Sequence, residues 1–135
     1  MSSRRFLLDT DTCIYALKQQ ARVIERLLAT AREDVGVSVI TEAELRTGAA
    51  KSSSPSTTLG FVENFLAPIM RLEFTSEDAV AYASIRSKLE RSGTPIGPLD
   101  TLIAAQAVAR GFVLVSNNER EFRRVPGLKL ENWFK

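Results

Sequence analysis

Acidic residues follow the apolar stretches of this 135-residue chain at widely separated positions. The apolar run from residue 6 to residue 8 ends at Asp9, and a carboxylate at the end of a buried strand is unfavourable unless something uses its charge. Glu42 and Glu44 follow the apolar stretch at 35–40, and Glu119 and Glu121 follow the one at 112–116. Asp100 lies at the start of the predicted helix that precedes this last stretch. Carboxylates that share a cleft repel one another, and a divalent cation is the usual counter-charge. The pattern therefore favours a metal site whose ligands come from distant parts of the sequence.

A second chemistry also fits the first acidic pair. Asp9 and Asp11 form a D-x-D pattern, in which haloacid-dehalogenase-type phosphatases use the first aspartate as a nucleophile. That mechanism also requires a lysine near the phosphate and a late acidic pair at a strand end. No late GD or DD occurs in this sequence, and 135 residues leave little room for a cap domain. The phosphatase is therefore the weaker of the two interpretations.

The composition excludes several kinds of active site. The chain has no histidine, which removes a histidine general base and imidazole metal ligands. A single cysteine, Cys13, excludes thiolate zinc sites and an internal disulfide, and it suits a reducing cytoplasm. Any metal must then be held by oxygen atoms, which favours Mg²⁺ or Mn²⁺. No apolar run approaches the roughly 20 residues that span a membrane, and the N-terminal sequence is not that of a signal peptide.

Strand-like and helical patterns alternate along the chain, which we expect to form one domain over residues 1–135. Predicted strands cover residues 4–9, 35–40, 69–74 and 112–116 and the closing stretch LKLENWF. Predicted helices cover residues 11–20, 21–33, 41–50, 58–68, 76–93 and 99–111, with a short one in NNEREFRRV. Thr41 and Ser76 are the expected caps of two of them. Several strands are apolar without alternation, which is typical of a parallel sheet covered on both faces. Ligands of such sheets bind beyond the carboxyl ends of the strands, where the acids would meet.

Helix capping is a competing explanation for some of these acids. The T-x-x-E pattern that ends at Glu44 is that of a capping box, and the N-x-x-E pattern that ends at Glu121 is a looser version. The helix dipole alone would favour Asp100 in a first turn. Asp9 has no evident capping role. Glu42 and Glu44 lie about 200° apart on a helix, so only one of them can face a shared cleft.

Four stretches of the chain resemble PIN-domain ribonucleases, specifically the VapC-type toxins of bacterial toxin–antitoxin pairs. The stretches are FLLDTDTCIYAL, VSVITEAELRTGA, GTPIGPLDTLIAAQAVARG and VLVSNNEREFRRVPGLKLENW. They follow the family's order and spacing over essentially the whole chain. The resemblance implies an α/β fold, namely a PIN-like three-layer α/β/α sandwich with a central, mainly parallel sheet of about five strands. It also implies a Mg²⁺- or Mn²⁺-dependent endoribonuclease that cleaves RNA, with tRNA as the expected substrate, and so inhibits translation. A homodimer and a cognate VapB-type antitoxin are the implied partners.

The resemblance also assigns roles to residues of this chain. The expected catalytic acids are Asp9, Glu44, Asp100 and Glu121, and the expected metal ligands are Asp9, Asp100 and Glu121. Supporting or phosphate-positioning roles fall to Asp11, Ser116 and Asn118, and the candidate RNA contacts are Arg86, Arg120 and Arg123.

The sequence departs from the family's commoner pattern in two places, since Asn118 stands where an aspartate is frequent and Asp11 where D-T-N is usual. The departure at Asn118 leaves Glu119 as a competitor of Glu121 for the fourth acidic position. The non-enzymatic alternative is a degenerate PIN-like binding module, which would lack one or more of the acids.

Overall fold

A parallel five-stranded sheet forms the centre of the protein, whose computed structural model describes residues 4–135. The sheet order is β3-β2-β1-β4-β5, and every neighbouring pair is parallel. The strands are β1 (Phe6–Leu8), β2 (Val35–Ser38), β3 (Met70–Leu72), β4 (Val113–Val115) and β5 (Lys129–Glu131). The helices are α1 (Thr10–Leu17), α2 (Ala21–Ala29), α3 (Val39–Ala50), α4 (Pro55–Leu66), α5 (Ser76–Arg91), α6 (Pro98–Arg110) and α7 (Glu119–Phe122). A 3₁₀ turn, Arg32–Asp34, precedes β2.

Side chains of the central strands alternate between two buried clusters, one on each face of the sheet. Leu7 and Leu114 pack with residues of α5, α6 and α7, whereas Leu8, Val37 and Val115 pack with residues of α1, α2, α3 and α4. Successive strand residues point to opposite faces, so a sheet that is apolar throughout needs helices on both sides. The expected three-layer α/β/α sandwich is confirmed. Within residues 4–135, no helix combines the length and the apolar character that crossing a membrane requires.

Two helices start at caps that the sequence analysis assigned wrongly. The helix α3 is capped by Ser38, whose Oγ accepts a hydrogen bond from the backbone N–H of Ile40 at 2.9 Å. Thr41, the expected cap, lies inside α3 and is buried. The helix α5 is capped by Thr75 in a capping box with Asp78, and the expected serine cap is its first residue. Before α3 the strand ends sooner than its apolar residues suggest, because the Ser38 cap places Val39 and Ile40 in the helix.

A buried ion pair ties the start of α5 to the end of α6. The side chain of Asp78 is fully buried and accepts hydrogen bonds from Nη2 and Nε of Arg110 at 2.6 and 3.2 Å. Its Oδ2 also accepts the backbone N–H of Thr75 at 2.9 Å, and Nη2 of Arg110 donates to the carbonyl of Glu73 at 2.5 Å. Removing one partner of such a pair leaves an uncompensated buried charge, which is strongly destabilising.

We therefore expect Asp78→Ala to lower the free energy of unfolding by about 3 kcal/mol, because it strands Arg110 and removes the capping box. Urea denaturation at neutral pH measures the change. Glu90→Ala is the matched control, since Glu90 forms an exposed pair with Arg86 at 2.9 Å and such pairs contribute little. Similar small losses in both variants would show that the buried pair does not stabilise the fold.

Candidate active site

The carboxyl ends of the central strands meet at one edge of the sheet, and five acids lie there. Asp9 follows β1, Glu44 belongs to the helix after β2, and Asp100 lies in the first turn of α6. Asp11 lies in the first turn of α1, and Glu121 lies on the short helix after β4. Their negative charges act on one another, since the other four all raise the pKa of Asp100. The structure therefore brings together five acids that are up to 112 residues apart in the sequence. We call this set of acids the acidic rim.

Asp9 is the most deeply buried acid of this rim, with 3% of its surface exposed. Its Oδ1 accepts the backbone N–H of Thr12 at 2.8 Å, so Asp9 is the N-cap of α1. The sequence analysis missed this role. Burial raises the pKa of Asp9 to about 6, although hydrogen bonds from Ser116 and Thr12 oppose the rise. Capping does not require such burial, so the desolvated charge still needs a counter-charge.

Asp100 faces the same rim from α6. Burial and then the charges of Asp9 and Glu44, with smaller contributions from Asp11 and Glu121, raise its pKa to about 6. None of these five acids forms an ion pair with a lysine or arginine within residues 4–135. The rim is therefore a concentration of negative charge without a protein cation to balance it.

The two glutamates of α3 point in different directions. Oε1 of Glu44 accepts a hydrogen bond from the hydroxyl of Thr10 at 2.6 Å, which turns its carboxylate toward α1. Glu42 instead pairs with Arg46 at 2.9 Å and with Arg71 at 3.5 Å. Because α3 begins at residue 39, Glu44 lies beyond its first turn and cannot belong to a capping box at its start. The capping explanation for Glu44 is therefore wrong, and of the two acids only Glu44 faces the rim.

The two glutamates of α7 are also separated. Glu121 occupies the third position of the helix, and its Oε2 accepts a hydrogen bond from Nδ2 of Asn118 at 2.8 Å. Glu119 turns to the C-terminal residues, where hydrogen bonds from Asn132 and Lys135 lower its pKa to about 2. The side chain of Asn118 does not cap α7 but contacts Glu121 instead. Glu121 therefore belongs to the rim, and Glu119 belongs to a separate, charge-balanced network.

The remaining predicted residues differ in their surroundings. Ser116 is fully buried, and its Oγ accepts the backbone N–H of Asn118 at 2.9 Å, so it shapes the turn after β4. Arg86 and Arg123 are held by acids one turn away on their own chain segments, at 2.9 and 3.3 Å. Arg120 is exposed and forms no ion pair within residues 4–135. Of the three arginines, Arg120 is the one available to a phosphate without breaking an ion pair.

Sequence reasoning overlooked Thr10, although it directly follows Asp9 and a threonine is a ready hydrogen-bond donor. It also overlooked an apolar groove of about 610 Å³ between α1, α3 and α4. The groove is lined mainly by Ile14, Leu17, Leu45, Phe61 and Val62, and Glu44 lies at its border. Phe61 is 64% exposed, which is unusual for a large aromatic side chain.

The donor set of the rim fits a hard divalent cation. All its candidate ligands are carboxylate oxygens, which suit Mg²⁺ and Mn²⁺, and the repulsion that raises the pKa of Asp100 is of the kind a cation relieves. Within the described residues no three acidic or cysteine side chains already form a compact ligand cluster. The hydrogen bonds from Thr10 and Asn118 orient the two glutamates of the rim. Of its three aspartates, Asp9 is buried and Asp100 is partly buried, whereas Asp11 is exposed.

Comparisons with known proteins agree with this geometry. The PIN domain profile matches residues 6–128. The tRNA(fMet)-specific endonuclease VapC of Salmonella typhimurium is 40% identical over 129 residues, which cover 96% of this chain and 98% of that protein. Ribonuclease VapC2 of Haemophilus influenzae is 39% identical over 132 residues, with the same coverage.

Solved structures of VapBC complexes also resemble this chain. The structure of DNA-bound VapBC from Salmonella typhimurium matches with a TM-score of 0.92 and 40% identity, covering 97% of this chain and 99% of that chain. VapBC2 from Rickettsia felis, bound to a DNA fragment from its promoter, matches with a TM-score of 0.90 and 35% identity over 95% and 98% of the two chains. The parallel sheet and these matches define the class of protein: the chain belongs to the PIN domain family. The resemblance to its VapC-type toxins is confirmed.

The raised pKa of Asp9 predicts a measurable effect on the metal-free protein. Because folding raises this pKa from 3.8 to about 6, the carboxyl favours the folded state below pH 4, and this contribution is lost as the pH rises through 6. Asp9→Asn keeps a capping side chain but removes the charge. It should stabilise the protein by about 2 kcal/mol at pH 8 and by little at pH 4.

Thermal and urea unfolding in a chelator, from pH 4 to pH 8, tests this expectation. Glu33→Gln neutralises an exposed acid before β2 and should produce no such pH-dependent gain. A variant that is less stable than the original protein at pH 8 would contradict the desolvation argument.

Proposed function

We propose that this protein is a Mg²⁺- or Mn²⁺-dependent endoribonuclease, the toxin of a VapBC-type pair, and that it cuts tRNA to stop translation. The observation that carries the proposal is the set of acids around Asp9 and Asp100, which has no cationic partner in the described protein. Relatives with up to 40% identity are called tRNA(fMet)-specific endonuclease or ribonuclease VapC, which supports RNA as the substrate. The single cysteine is free and buried, which suits a reducing cytoplasm.

The acids of the rim divide the work of binding and catalysis. Asp9 and Asp100 would hold the ion from the end of β1 and the start of α6, and Glu121 would add a third carboxylate, which Asn118 keeps in place. A bound divalent cation supplies charge stabilisation at the scissile phosphate and activates water. The chain has no histidine, and we assign the proton of the attacking water to a carboxylate. Glu44 suits this role, because Thr10 occupies its Oε1 and leaves Oε2 as the acceptor.

The RNA backbone must approach a rim that is itself negative. Arginine binds phosphate through its planar guanidinium, and Arg120 is exposed and unpaired within residues 4–135 beside Glu121. Arg86 and Arg123 can contribute only after they leave Glu90 and Glu119. We therefore assign the first phosphate contact to Arg120.

Nuclease assays with matched charge-neutralising variants test the proposal. Asp9→Asn and Asp100→Asn should each reduce Mn²⁺-dependent cleavage of tRNA by at least 10³-fold, since each removes a direct ligand. Glu121→Gln should cause a partial loss of about 10- to 100-fold and weaken Mn²⁺ binding in calorimetry, because three acids remain. Glu119→Gln and Glu42→Gln are the controls, since both acids lie in separate ion-pair networks.

Full activity of folded Asp9→Asn or Asp100→Asn protein would remove the metal-nuclease assignment. Stronger effects from Glu119→Gln than from Glu121→Gln would exchange the roles of those two residues. Absence of cleavage by the unmodified protein, together with intact folding and no Mn²⁺ binding, would favour the degenerate binding module.

A homodimer and a VapB-type antitoxin complete the proposal. Solved relatives include VapBC complexes from Salmonella typhimurium and Rickettsia felis, which supports an antitoxin as partner of this chain. The apolar groove beside Glu44 suits an apolar segment of that partner, because an occupant of the groove would also lie next to the rim. Phe61 borders the groove and exposes most of its ring.

We expect Phe61→Glu to weaken capture of the co-expressed VapB-type antitoxin by at least 100-fold, since it places a charge in an apolar contact. Cleavage of tRNA by the purified variant should stay within twofold of the original, because Phe61 is not part of the acidic rim. Leu28→Glu is the control, as Leu28 is 82% exposed on α2, away from this groove. Calorimetry and size-exclusion chromatography measure complex formation, and equal affinity of the two variants would show that the antitoxin binds elsewhere.

A further inference from the structure

The hydroxyl of Thr10, at the start of α1, contacts two residues of α3 at the rim. Its Oγ1 lies 2.6 Å from Oε1 of Glu44 and 3.2 Å from the hydroxyl of Thr41. These residues meet because α1 and α3 follow β1 and β2, which are neighbours in the parallel sheet. Thr41 and Glu44 are three residues apart in α3 and therefore share a face of that helix. The contact is thus a product of the strand order rather than of sequence proximity.

The group that holds Glu44 in place is an uncharged hydrogen-bond donor, the hydroxyl of Thr10. A glutamate side chain has several rotatable bonds, and holding it in one geometry requires a partner. At Glu42 that partner is a cation, Arg46, and the pair is balanced in charge. At Glu44 the donor is a neutral hydroxyl at the short distance typical of a bond to a carboxylate. Glu44 therefore has a defined orientation and no ion-pair partner within residues 4–135.

The same arrangement recurs on the other side of the rim. Glu121 accepts a hydrogen bond from the neutral amide of Asn118 at 2.8 Å and forms no ion pair within residues 4–135. Its neighbour Glu119 is paired with Lys135 and Arg123. In both helices, the glutamate at the rim has a neutral donor and the one outside it has cationic partners.

We propose that Thr10 is a positioning residue that holds Glu44 in its working orientation at the rim and so sets both metal affinity and turnover. The inference rests on the proposed metal-dependent nuclease function. Thr10 contacts neither the ion nor the RNA in this proposal, and it acts only through the carboxylate of Glu44. Loss of its hydroxyl frees the glutamate to adopt other rotamers, so its charge, which acts on Asp100, no longer lies at a fixed place beside the expected metal ligands.

Three variants test the role of the hydroxyl. Thr10→Val keeps the shape of the side chain and removes the donor, and it should weaken Mn²⁺ binding three- to tenfold in calorimetry without RNA. It should also lower kcat for tRNA cleavage about tenfold and leave KM within twofold. Thr10→Ser restores the donor and should retain at least half of the original affinity and turnover. Thr30→Val is the control, since its hydroxyl donates to the carbonyl of Arg26 at the end of α2.

A double-variant comparison separates positioning from a general structural effect. In the Glu44→Gln background, Thr10→Val should cause no further loss of turnover, because the residue through which it acts is already altered. Thr10→Ala, which a first helical position accepts readily, provides a second test if the valine variant is poorly folded. Unchanged Mn²⁺ affinity and turnover in folded Thr10→Val and Thr10→Ala, or a full additional loss beside Glu44→Gln, would overturn the inference. In either case the unmodified protein would still bind Mn²⁺ and cleave RNA, whereas failure of the proposed function would abolish both.

Discussion

Uncompensated negative charge at one edge of the sheet is the constraint on which this structure depends. Burial raises the pKa of Asp9 to about 6, and burial with repulsion by its neighbours does the same for Asp100. A chain that assembled such carboxylates only for stability would have paired them with arginine, as it does for Asp78 and Arg110. Several other arginines, among them Arg26, Arg46 and Arg86, instead pair with acids outside the rim. Within residues 4–135 no lysine or arginine balances the rim, and the proposed cation would supply that charge.

The parallel sheet is what makes this arrangement possible. Each strand delivers the next residues of the chain to the same edge, so short segments after β1, β2 and β4 supply acids from distant parts of the sequence. The buried clusters on the two faces fix the strands relative to one another, and this fixes the backbone positions of the acids that follow the strands. Neutral donors then orient the longer side chains, as Thr10 does for Glu44 and Asn118 for Glu121.

Much of this could be predicted from the sequence, and the failures share a cause. Apolar runs and their alternation with helical patterns suffice for a sandwich, and the family motifs identify the acids. The sequence could not show that Ser38 rather than Thr41 caps α3, because both residues are good caps and only the end of the strand decides between them.

Tertiary contacts also decided between candidate acids. Glu119 and Glu121 are both acids of the first turn of α7, and a local hydrogen bond from Asn118 orients Glu121. Glu119 is held away from the rim by Asn132 and Lys135, which reach it only after the chain has passed through β5. Thr10 was overlooked for the same reason, since its partner lies 34 residues away on another helix.

The cap that Asp9 provides to α1 limits which substitutions at this position still allow the protein to fold. Substitutions that remove the capping oxygen loosen the first helix, and selection against unfolded protein removes them. Asparagine keeps the capping oxygen and removes the buried charge, so selection against unfolded protein does not act on it. A copy of this protein that loses its activity through asparagine at this position would therefore still fold and would keep its partner-binding surfaces. Under the proposed function, selection for cleavage would keep the aspartate at this position.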